Sequence, residues 1–312
     1  MPSTLFTAPP EWQWLVITYF FVGGLAGGCY FLAALIDLYG RPEDRPLARL
    51  GYYIAFPCVV VSGILLTVDL GRPLRFWHML IESNTYRPMF KYWSPMSVGA
   101  WALLIFGLFT FLSFLGALAE DDASADRGRI RWPALRTIGA RWPALRRLHG
   151  SSALGRMISV IGAIFGLYIA GYTGVLLAVT NRPIWSDTPL LGMLFVVSAA
   201  STAAALMMLV AHRSGWTMPG LANLHCMEAW MIVLELLVLI AVLISLGPVL
   251  TAWLNAWGVL LLLVITLGLI WPLVLSWRAR RPGTLNLARA APLVLLGSFL
   301  LRVVIVFSSE AI

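Results

Sequence analysis

Long apolar segments alternate with short polar ones along nearly the whole chain. A transmembrane helix needs about 20 consecutive residues that are mostly apolar. Eight segments meet this requirement, namely 13–37, 50–69, 95–118, 157–180, 189–211, 224–247, 256–277 and 291–309. The pattern therefore predicts an all-α integral membrane protein with eight transmembrane helices, which we expect to form two four-helix bundles.

The composition agrees with a chain whose solvent is mainly the lipid bilayer. Hydrophobic residues make up 60% of the sequence and charged residues 12%, whereas a soluble domain carries about 25% charged residues. We expect one polytopic membrane domain, 1–312, with helical halves at 1–190 and 191–312. No basic residue precedes the first apolar segment. A cleaved signal peptide is therefore not expected, and the first helix should be retained.

Basic residues are divided unequally between the two sides of the predicted membrane domain. Of the 22 lysines and arginines, 16 lie in the segments after spans 1, 3, 5 and 7, five lie on the opposite side, and Arg302 is inside span 8. Basic residues concentrate in cytoplasmic loops. Both termini are therefore predicted on the periplasmic side of a prokaryotic inner membrane. This distribution explains the net charge of +8 without a nucleic-acid partner.

Two of the predicted loops are long and differ in character. The cytoplasmic loop 119–156 is rich in arginine and contains the hexapeptide RWPALR twice, at 131–136 and 141–146. Its expected role is to lie on anionic lipid headgroups. The outer loop 70–94 is mixed in charge, rich in aromatic residues and the most basic part of the outer side. Because this departs from the usual charge distribution, we expect a partner to dock there.

Ionisable residues at membrane depth are few, and each is a functional candidate because its burial is costly. His225, Glu228 and Glu235 of span 6 are spaced by three and seven residues, so they share one stripe of a helix. Glu235 and Arg302 lie at similar depths, which predicts a buried ion pair between them. A proton path through Glu228, Glu235 and Arg302 is one hypothesis, and a purely structural ion pair is the other.

Four polar residues from separate segments are predicted to lie near the outer third of the membrane: Tyr19, Asp69, His78 and Tyr172. Such a place suits a quinone, whose reduction needs hydrogen-bond donors and a source of protons. Tyr172 can donate a hydrogen bond, and Asp69 and His78 can carry protons. If the second helix continues past Asp69, Arg72 shares its face and can pair with it. A structural salt bridge and an ordinary core tyrosine are the alternatives.

The first span contains the run GGLAGG at 23–28, which forms two overlapping GxxxG pairs. Gly23 and Gly27 can allow the close approach of another helix or of a flat ligand. Helix packing and ligand binding are both compatible with these glycines.

Metal and haem sites are not expected. Cys29, Cys58 and Cys226 show no CxxC spacing, so they do not suggest an iron–sulphur cluster. A bis-histidine haem needs two axial histidines on facing helices, and of the four histidines only His225 is placed inside a span.

The ordered runs GGLAGG, DLGRPLRFWHML, SPMSVGAW and NRPIW resemble the polysulphide reductase membrane-subunit (NrfD-like) family over residues 1–190. The resemblance implies an eight-helix protein that binds menaquinone or ubiquinone near the outer surface and holds no haem or metal. It also implies a ferredoxin-like iron–sulphur partner, here expected on loop 70–94, and a molybdopterin catalytic subunit. The chain would be enzymatic only as the quinone-reactive subunit of an oxidoreductase complex.

The resemblance assigns roles to individual positions. Tyr172 matches the tyrosine that hydrogen-bonds the quinone, and Asp69 matches an acidic position associated with proton transfer. The family pattern has an asparagine and a histidine in the first helix, where this chain has Val16 and Tyr19. We therefore expect Tyr19, Tyr172, Asp69, Arg72 and the glycines at 23 and 27 to surround the quinone.

Other classes of membrane protein compete with this interpretation. A secondary transporter or ion-translocating protein that works without redox partners is the main alternative, although no repeat on the scale of several spans is visible in the sequence. A passive anchor explains the hydropathy but not the clustering of Tyr19, Asp69, His78 and Tyr172.

Overall fold

The computed structural model describes residues 12–123, 152–216, 218–278 and 285–311, together with Leu148. These residues form α-helices at Trp14–Tyr39 (α1), Arg45–Asp69 (α2), Pro95–Ala123 (α3), Ala153–Ala178 (α4), Leu191–Arg213 (α5), Pro219–Leu246 (α6), Ala256–Leu263 (α7), Trp271–Arg278 (α8) and Leu285–Glu310 (α9). By length and composition they supply eight candidate membrane spans, with α7 and α8 in one span. The prediction of an all-α protein with eight spans is confirmed.

Several helices extend beyond their apolar segments. α2 begins at Arg45, five residues before the predicted span, and α4 begins at Ala153. Ser152 caps α4 by accepting a hydrogen bond from the Gly155 amide at 2.9 Å. Hydropathy marks only the part of a helix that needs lipid, so polar turns that continue the hydrogen-bonded helix are missed.

The seventh span is not a continuous α-helix. Its middle, Val264–Ile270, is a π-helix that joins α7 to α8. Gly268 of this turn lies against Gly297 of α9 so closely that a Cβ at either position would meet the backbone of the other. A π-turn holds an extra residue, and such turns are frequent at functional sites.

Helix α1 is the centre of the packing. It packs on α2, α4 and α5, and it also touches α9. One apolar core combines the inner-facing side chains of α1, α2 and α3 with part of α5, and a second combines the start of α1 with α5, α6, α9 and the seventh span. Because α1 contributes to both cores, the division into two four-helix bundles, and into halves at 1–190 and 191–312, stays a prediction.

The glycines of α1 allow this central position. A Cβ at Gly27 would overlap the Gly166 carbonyl of α4, and a Cβ at Gly28 would overlap the Ala199 carbonyl of α5. Helices that approach this closely need small residues at the crossing. The GGLAGG run therefore holds α1 against α4 on one side and against α5 on the other.

The segment after α4 is fixed to the last helix. Trp185 is fully buried and donates from its indole nitrogen to the Ile305 carbonyl at 2.8 Å. Its ring stacks on Trp12 with the centroids 5.1 Å apart. This contact anchors the end of α4, and with it the turn that carries Tyr172.

Because the number of candidate spans is even, both chain ends are predicted on the same side of the membrane. Which side that is stays a prediction, as does the association of loop 119–156 with lipid headgroups. The two RWPALR copies, 131–136 and 141–146, lie outside the described residues.

Candidate functional site

Three tyrosines of α1 and α4 form a cluster in which Tyr19 and Tyr172 are buried between the helices and Tyr168 lies on the exposed side of α4. The rings of Tyr168 and Tyr172 are stacked, with centroids 5.8 Å apart and planes 23° apart. Tyr19 lies close enough to interact electrostatically with both. Tyr19 and Tyr172 are 2% and 7% exposed. The predicted meeting of Tyr19 and Tyr172 in one place is therefore present in the structure.

Two glycines make room for these rings. A Cβ at Gly99, near the start of α3, would overlap the ring and hydroxyl of Tyr172. A Cβ at Gly23 would lie 3.3 Å from the Tyr19 ring and 3.6 Å from the Ser62 hydroxyl of α2. The cluster is thus surrounded by α1, α2, α3 and α4.

Neither the Tyr19 hydroxyl nor the Tyr172 hydroxyl forms a hydrogen bond with another described residue. By contrast, the buried Tyr30 hydroxyl donates to the Ile158 carbonyl at 3.1 Å and lies 2.7 Å from the Ser113 hydroxyl. Buried tyrosines usually find a partner, because an unpaired phenol in an apolar setting is costly. Two phenols of one cluster that have no partner indicate a site for a ligand with hydrogen-bond acceptors.

Asp69 is the last residue of α2, so the condition for its pairing with Arg72, a helix that continues past Asp69, is not met. The chain leaves the helix at Leu70 and turns at Gly71, which has a φ of +61°. Within the described residues no ion pair joins Asp69 to Arg72. Asp69 instead shares a helix stripe with Ser62, seven residues earlier. Asp69 is exposed at the end of α2, two turns beyond the buried Ser62.

The outer loop forms a cavity of about 690 Å³ that is separate from the tyrosine cluster. Arg72, Arg75, His78 and Lys91 line it, together with Leu70, Gly71, Met79, Met89, Ser94, Met96 and Ser97. The 3₁₀-helix Pro73–Met79 forms one wall. The structure thus places His78 and Arg72 in this cavity and not beside Tyr19 and Tyr172.

The outer loop is held in shape by its own hydrogen bonds. The Met89 amide donates to the Leu80 carbonyl at 2.8 Å, and the Met89 carbonyl accepts from the Trp101 indole of α3 at 3.0 Å. Several cationic side chains are thereby presented on an ordered framework. Such a surface is suited to an acidic partner.

A second polar cluster lies behind α1. Arg302 of α9 is 1% exposed and donates to the Phe20 carbonyl at 3.2 Å, to the Ser298 hydroxyl at 2.6 Å and to the Ser198 hydroxyl at 3.3 Å. Phe20 is the neighbour of Tyr19 in α1. The Arg302 cluster is therefore connected to the backbone of the turn that carries Tyr19.

The predicted ion pair between Glu235 and Arg302 is wrong in its geometry. Glu235 is fully buried and accepts from the Ser201 hydroxyl at 2.7 Å, and among the described residues no direct salt bridge joins it to Arg302. Serines of α5 stand between the two groups, since Ser198 contacts Arg302 one turn from Ser201. Hydroxyl groups can satisfy both charges without direct contact.

Further along α6, His225 and Glu228 are neighbours. The His225 Nδ1 atom lies 3.6 Å from a carboxylate oxygen of Glu228, which is fully buried. Neither oxygen of Glu228 has a hydrogen-bond partner among the described residues. The predicted stripe of His225, Glu228 and Glu235 is present, and its buried carboxylates require solvation by groups such as water.

The sequence analysis did not select Tyr168 as a site residue. The spacing of four residues from Tyr172 could have indicated it, because residues so spaced meet on one helix face. Within the described part of the chain, no group of three or more His, Cys, Asp or Glu side chains could hold a metal ion. The expectation of a chain without haem or metal stays a prediction.

These features define a polytopic helical membrane protein with a tyrosine cluster in its helical part and an ordered cationic loop at the end of its helices. The model of the polysulphide reductase NrfD family matches residues 6–312. The chain belongs to this family.

Individual relatives are distant. The chain is 27% identical to a polysulfide reductase chain of Wolinella succinogenes over 61% of its own length and 55% of the relative. It is 25% identical to protein NrfD of Escherichia coli over 96% of the chain and 95% of the relative. It is 22% identical to a selenate reductase subunit of Mesobacillus selenatarsenatis over 67% of the chain and 49% of the relative. The chain thus spans about half the length of these two reductase components.

Proposed function

We propose that this protein is the quinone-binding membrane-anchor subunit of a multi-subunit respiratory oxidoreductase. The observation that carries the proposal is the pair of buried phenols, Tyr19 and Tyr172, with no hydrogen-bond partner in the described structure. A quinone presents two carbonyl oxygens that accept hydrogen bonds and a flat ring that fits between helices. The two relatives that are components of polysulfide and selenate reductases support the subunit role.

In this proposal each residue of the site has a defined task. Tyr19 and Tyr172 donate hydrogen bonds to the ligand's carbonyl oxygens. Gly23 leaves space beside the Tyr19 ring, and Gly27 brings α4 close to α1. Reduction of a bound quinone takes up two electrons and two protons, and Asp69 delivers protons from the outer end of α2.

The outer loop 70–94 is the proposed docking surface for a ferredoxin-like iron–sulphur subunit, which would connect to a molybdopterin catalytic subunit. The cavity lined by Arg72, Arg75, His78 and Lys91 offers positive charge to an acidic partner surface. In this proposal His78 exchanges protons with the partner. The direction of electron flow follows from the partner, and extraction of the bound quinone distinguishes menaquinone from ubiquinone.

The polar residues of α6 and α9 are the proposed route for coupled proton transfer. Glu228 and Glu235 lie on one stripe, and the serines of α5 lead from Glu235 to Arg302. Arg302 ends this series at the Phe20 carbonyl, next to Tyr19. Buried carboxylates in a membrane span are typical of proton relays.

Purification of the protein from its native membrane, with extraction of bound quinone and mass spectrometry of associated proteins, tests the proposal. We expect quinone, a multi-cluster iron–sulphur protein and a molybdopterin protein. A Tyr172→Phe variant keeps the ring and removes the donor, so it should lower quinone affinity about tenfold, as for a lost buried hydrogen bond.

The matched control is Tyr86→Phe, which removes a phenol from the exposed outer loop. A wild-type protein that purifies without quinone or a redox partner contradicts the proposal.

A secondary transporter or ion-translocating protein is the second candidate. The observation that favours it is the pair of buried carboxylates, Glu228 and Glu235, beside a seventh span interrupted by a π-helix. Ion flux into vesicles that contain this protein alone would support this function, whereas flux that requires a quinone and a redox partner supports the first.

A further inference from the structure

Tyr168 differs from the other two tyrosines of the cluster in its exposure. Its side chain is 40% exposed, whereas Tyr172, one turn further along α4, is 7% exposed and Tyr19 is 2% exposed. The stacked rings of Tyr168 and Tyr172 therefore connect the outside of the helix bundle to its interior. No other pair of described aromatic residues forms such a connection to Tyr172.

From Met157 onward, the exposed side of α4 is otherwise apolar. Val160 and Ile164 precede Tyr168 at intervals of four residues, and they are 43% and 62% exposed. These positions share one helix stripe, which faces lipid in a membrane span. Tyr168 places a hydroxyl on this stripe, and the hydroxyl makes no hydrogen bond to a described residue. A polar group facing hydrocarbon without a partner is unfavourable unless a ligand satisfies it.

We propose that Tyr168 is the entry residue of the site, where a quinone headgroup arriving from the bilayer first makes contact. The inference rests on the proposed quinone function and deepens it. The exposed ring offers a stacking surface to the flat headgroup, and the hydroxyl offers the first hydrogen bond. The headgroup then moves past Tyr168 to the hydroxyls of the buried residues Tyr172 and Tyr19. Tyr168 is accordingly a positioning residue, which acts on capture of the ligand more than on the chemical step.

The variants Tyr168→Leu and Tyr168→Phe separate the ring from the hydroxyl, and Ile164→Ala is the matched control on the same stripe. Quinone-dependent turnover of the complex is measured in native membranes with added menaquinone-4, which gives KM and kcat. The Kd for menaquinone-4 is measured on the purified complex by quenching of tryptophan fluorescence. For Tyr168→Leu we expect KM and Kd to rise about threefold to tenfold, the worth of one aromatic contact, with little change in kcat. The KM and Kd of Tyr168→Phe should lie between those of Tyr168→Leu and the wild type, and those of Ile164→Ala should match the wild type.

Three results would overturn the entry role. The first is a Tyr168→Leu variant with wild-type KM and Kd while Tyr172→Phe weakens both. The second is a fall in kcat with KM unchanged. The third is loss of the folded complex in Tyr168→Leu with wild-type binding in Tyr168→Phe, which indicates packing alone. If the wild type itself binds no menaquinone-4 or other extracted quinone, the proposed function fails together with the entry role.

Discussion

Single side chains decide the chemistry available in this protein. Tyr19 and Tyr172 are buried like structural tyrosines but lack the hydrogen bonds that Tyr30 makes to Ser113 and to a backbone carbonyl. The difference matters because the cost of an unpaired donor is recovered when a ligand accepts its hydrogen bond. A buried tyrosine without a hydrogen-bond partner, such as Tyr172, supports binding, whereas one with partners, such as Tyr30, supports the fold.

The contact between Gly99 and Tyr172 gives a test of this site that leaves both phenols in place. Gly99→Ala adds a methyl group that overlaps the Tyr172 ring, so the ring must move, at a cost of about 1–3 kcal/mol. We expect quinone affinity to fall about tenfold or more. A quinone-binding titration of detergent-purified complex measures the effect.

Gly107→Ala is the control for this variant. Gly107 lies two turns further along α3, and a Cβ there would make an ordinary contact of 3.5 Å with Val59. Equal affinities for the two variants would show that the position of the Tyr172 ring does not govern binding.

Glu235 provides a test of proton coupling at the same scale. Glu235→Gln retains an oxygen that accepts from Ser201 but removes the group that can carry a proton. We expect proton-coupled turnover in reconstituted vesicles to drop about a hundredfold, as for loss of a general acid–base group. Glu43→Gln, at an exposed position between α1 and α2, is the control. Full proton coupling in Glu235→Gln would remove this residue from the path.

The sequence indicates these residues only in part. Tyr172 and Tyr19 could be selected because hydropathy gives their depth, and depth places both near the outer third. The ion pair between Glu235 and Arg302 was expected for the same reason and is wrong, because depth says nothing about rotation around a helix axis. The serines at 198 and 201 occupy the space between the charges. Their roles could not be distinguished from those of other small residues in an apolar span.

At the scale of helices, close backbone approach determines how the site is assembled. Gly27 of α1 lies against the backbone of Gly166 in α4, so the helix that carries Tyr19 and the helix that carries Tyr172 are held at a short, fixed separation. The sequence showed that GGLAGG permits a close approach but left the neighbour open. The structure identifies α4 and α5 as the neighbours.

Gly27→Ala should destabilise this crossing. The added methyl group would overlap the Gly166 carbonyl, and overpacking of this kind costs about 1–3 kcal/mol. We expect a lower melting temperature in detergent, together with weaker quinone binding. Thermal unfolding followed by fluorescence-detected size exclusion measures the first effect.

Gly63→Ala in α2 is the control for the crossing, because nothing lies within 4 Å of a Cβ at that position. Alanine is the better helix former, so this variant should be at least as stable as the wild type. A melting temperature for Gly27→Ala equal to that of Gly63→Ala would contradict a tight crossing.

At the scale of the whole molecule, the charge distribution predicts how the protein sits in the membrane. The eight spans are confirmed because long apolar runs report directly on bilayer thickness. The orientation depends on loops and remains a prediction from the arginines. The docking role of loop 70–94 depends on it, since the partner must be on the side where the loop emerges.

Thiol labelling tests this orientation. In a variant whose three cysteines are replaced, Ser83→Cys places a thiol in the exposed outer loop and Glu43→Cys places one between α1 and α2. With a membrane-impermeant reagent, we expect Ser83→Cys to react in intact spheroplasts and Glu43→Cys to react only after permeabilisation. The opposite pattern would place both termini, and the tyrosine cluster, near the cytoplasm.

The π-helical turn at Val264–Ile270 determines how the seventh span can vary in length. An α-helix advances about 100° per residue, and a π-turn accommodates one extra residue without that rotation. Deleting one residue from this turn would therefore restore α-helical geometry and leave the facing of Trp271–Arg278 nearly unchanged, so the Ser276 backbone would stay beside His225 of α6. The same deletion in an uninterrupted helix would rotate every residue beyond it by about 100°, so the seventh span should tolerate the loss of one residue at this turn with His225 and Glu228 undisturbed.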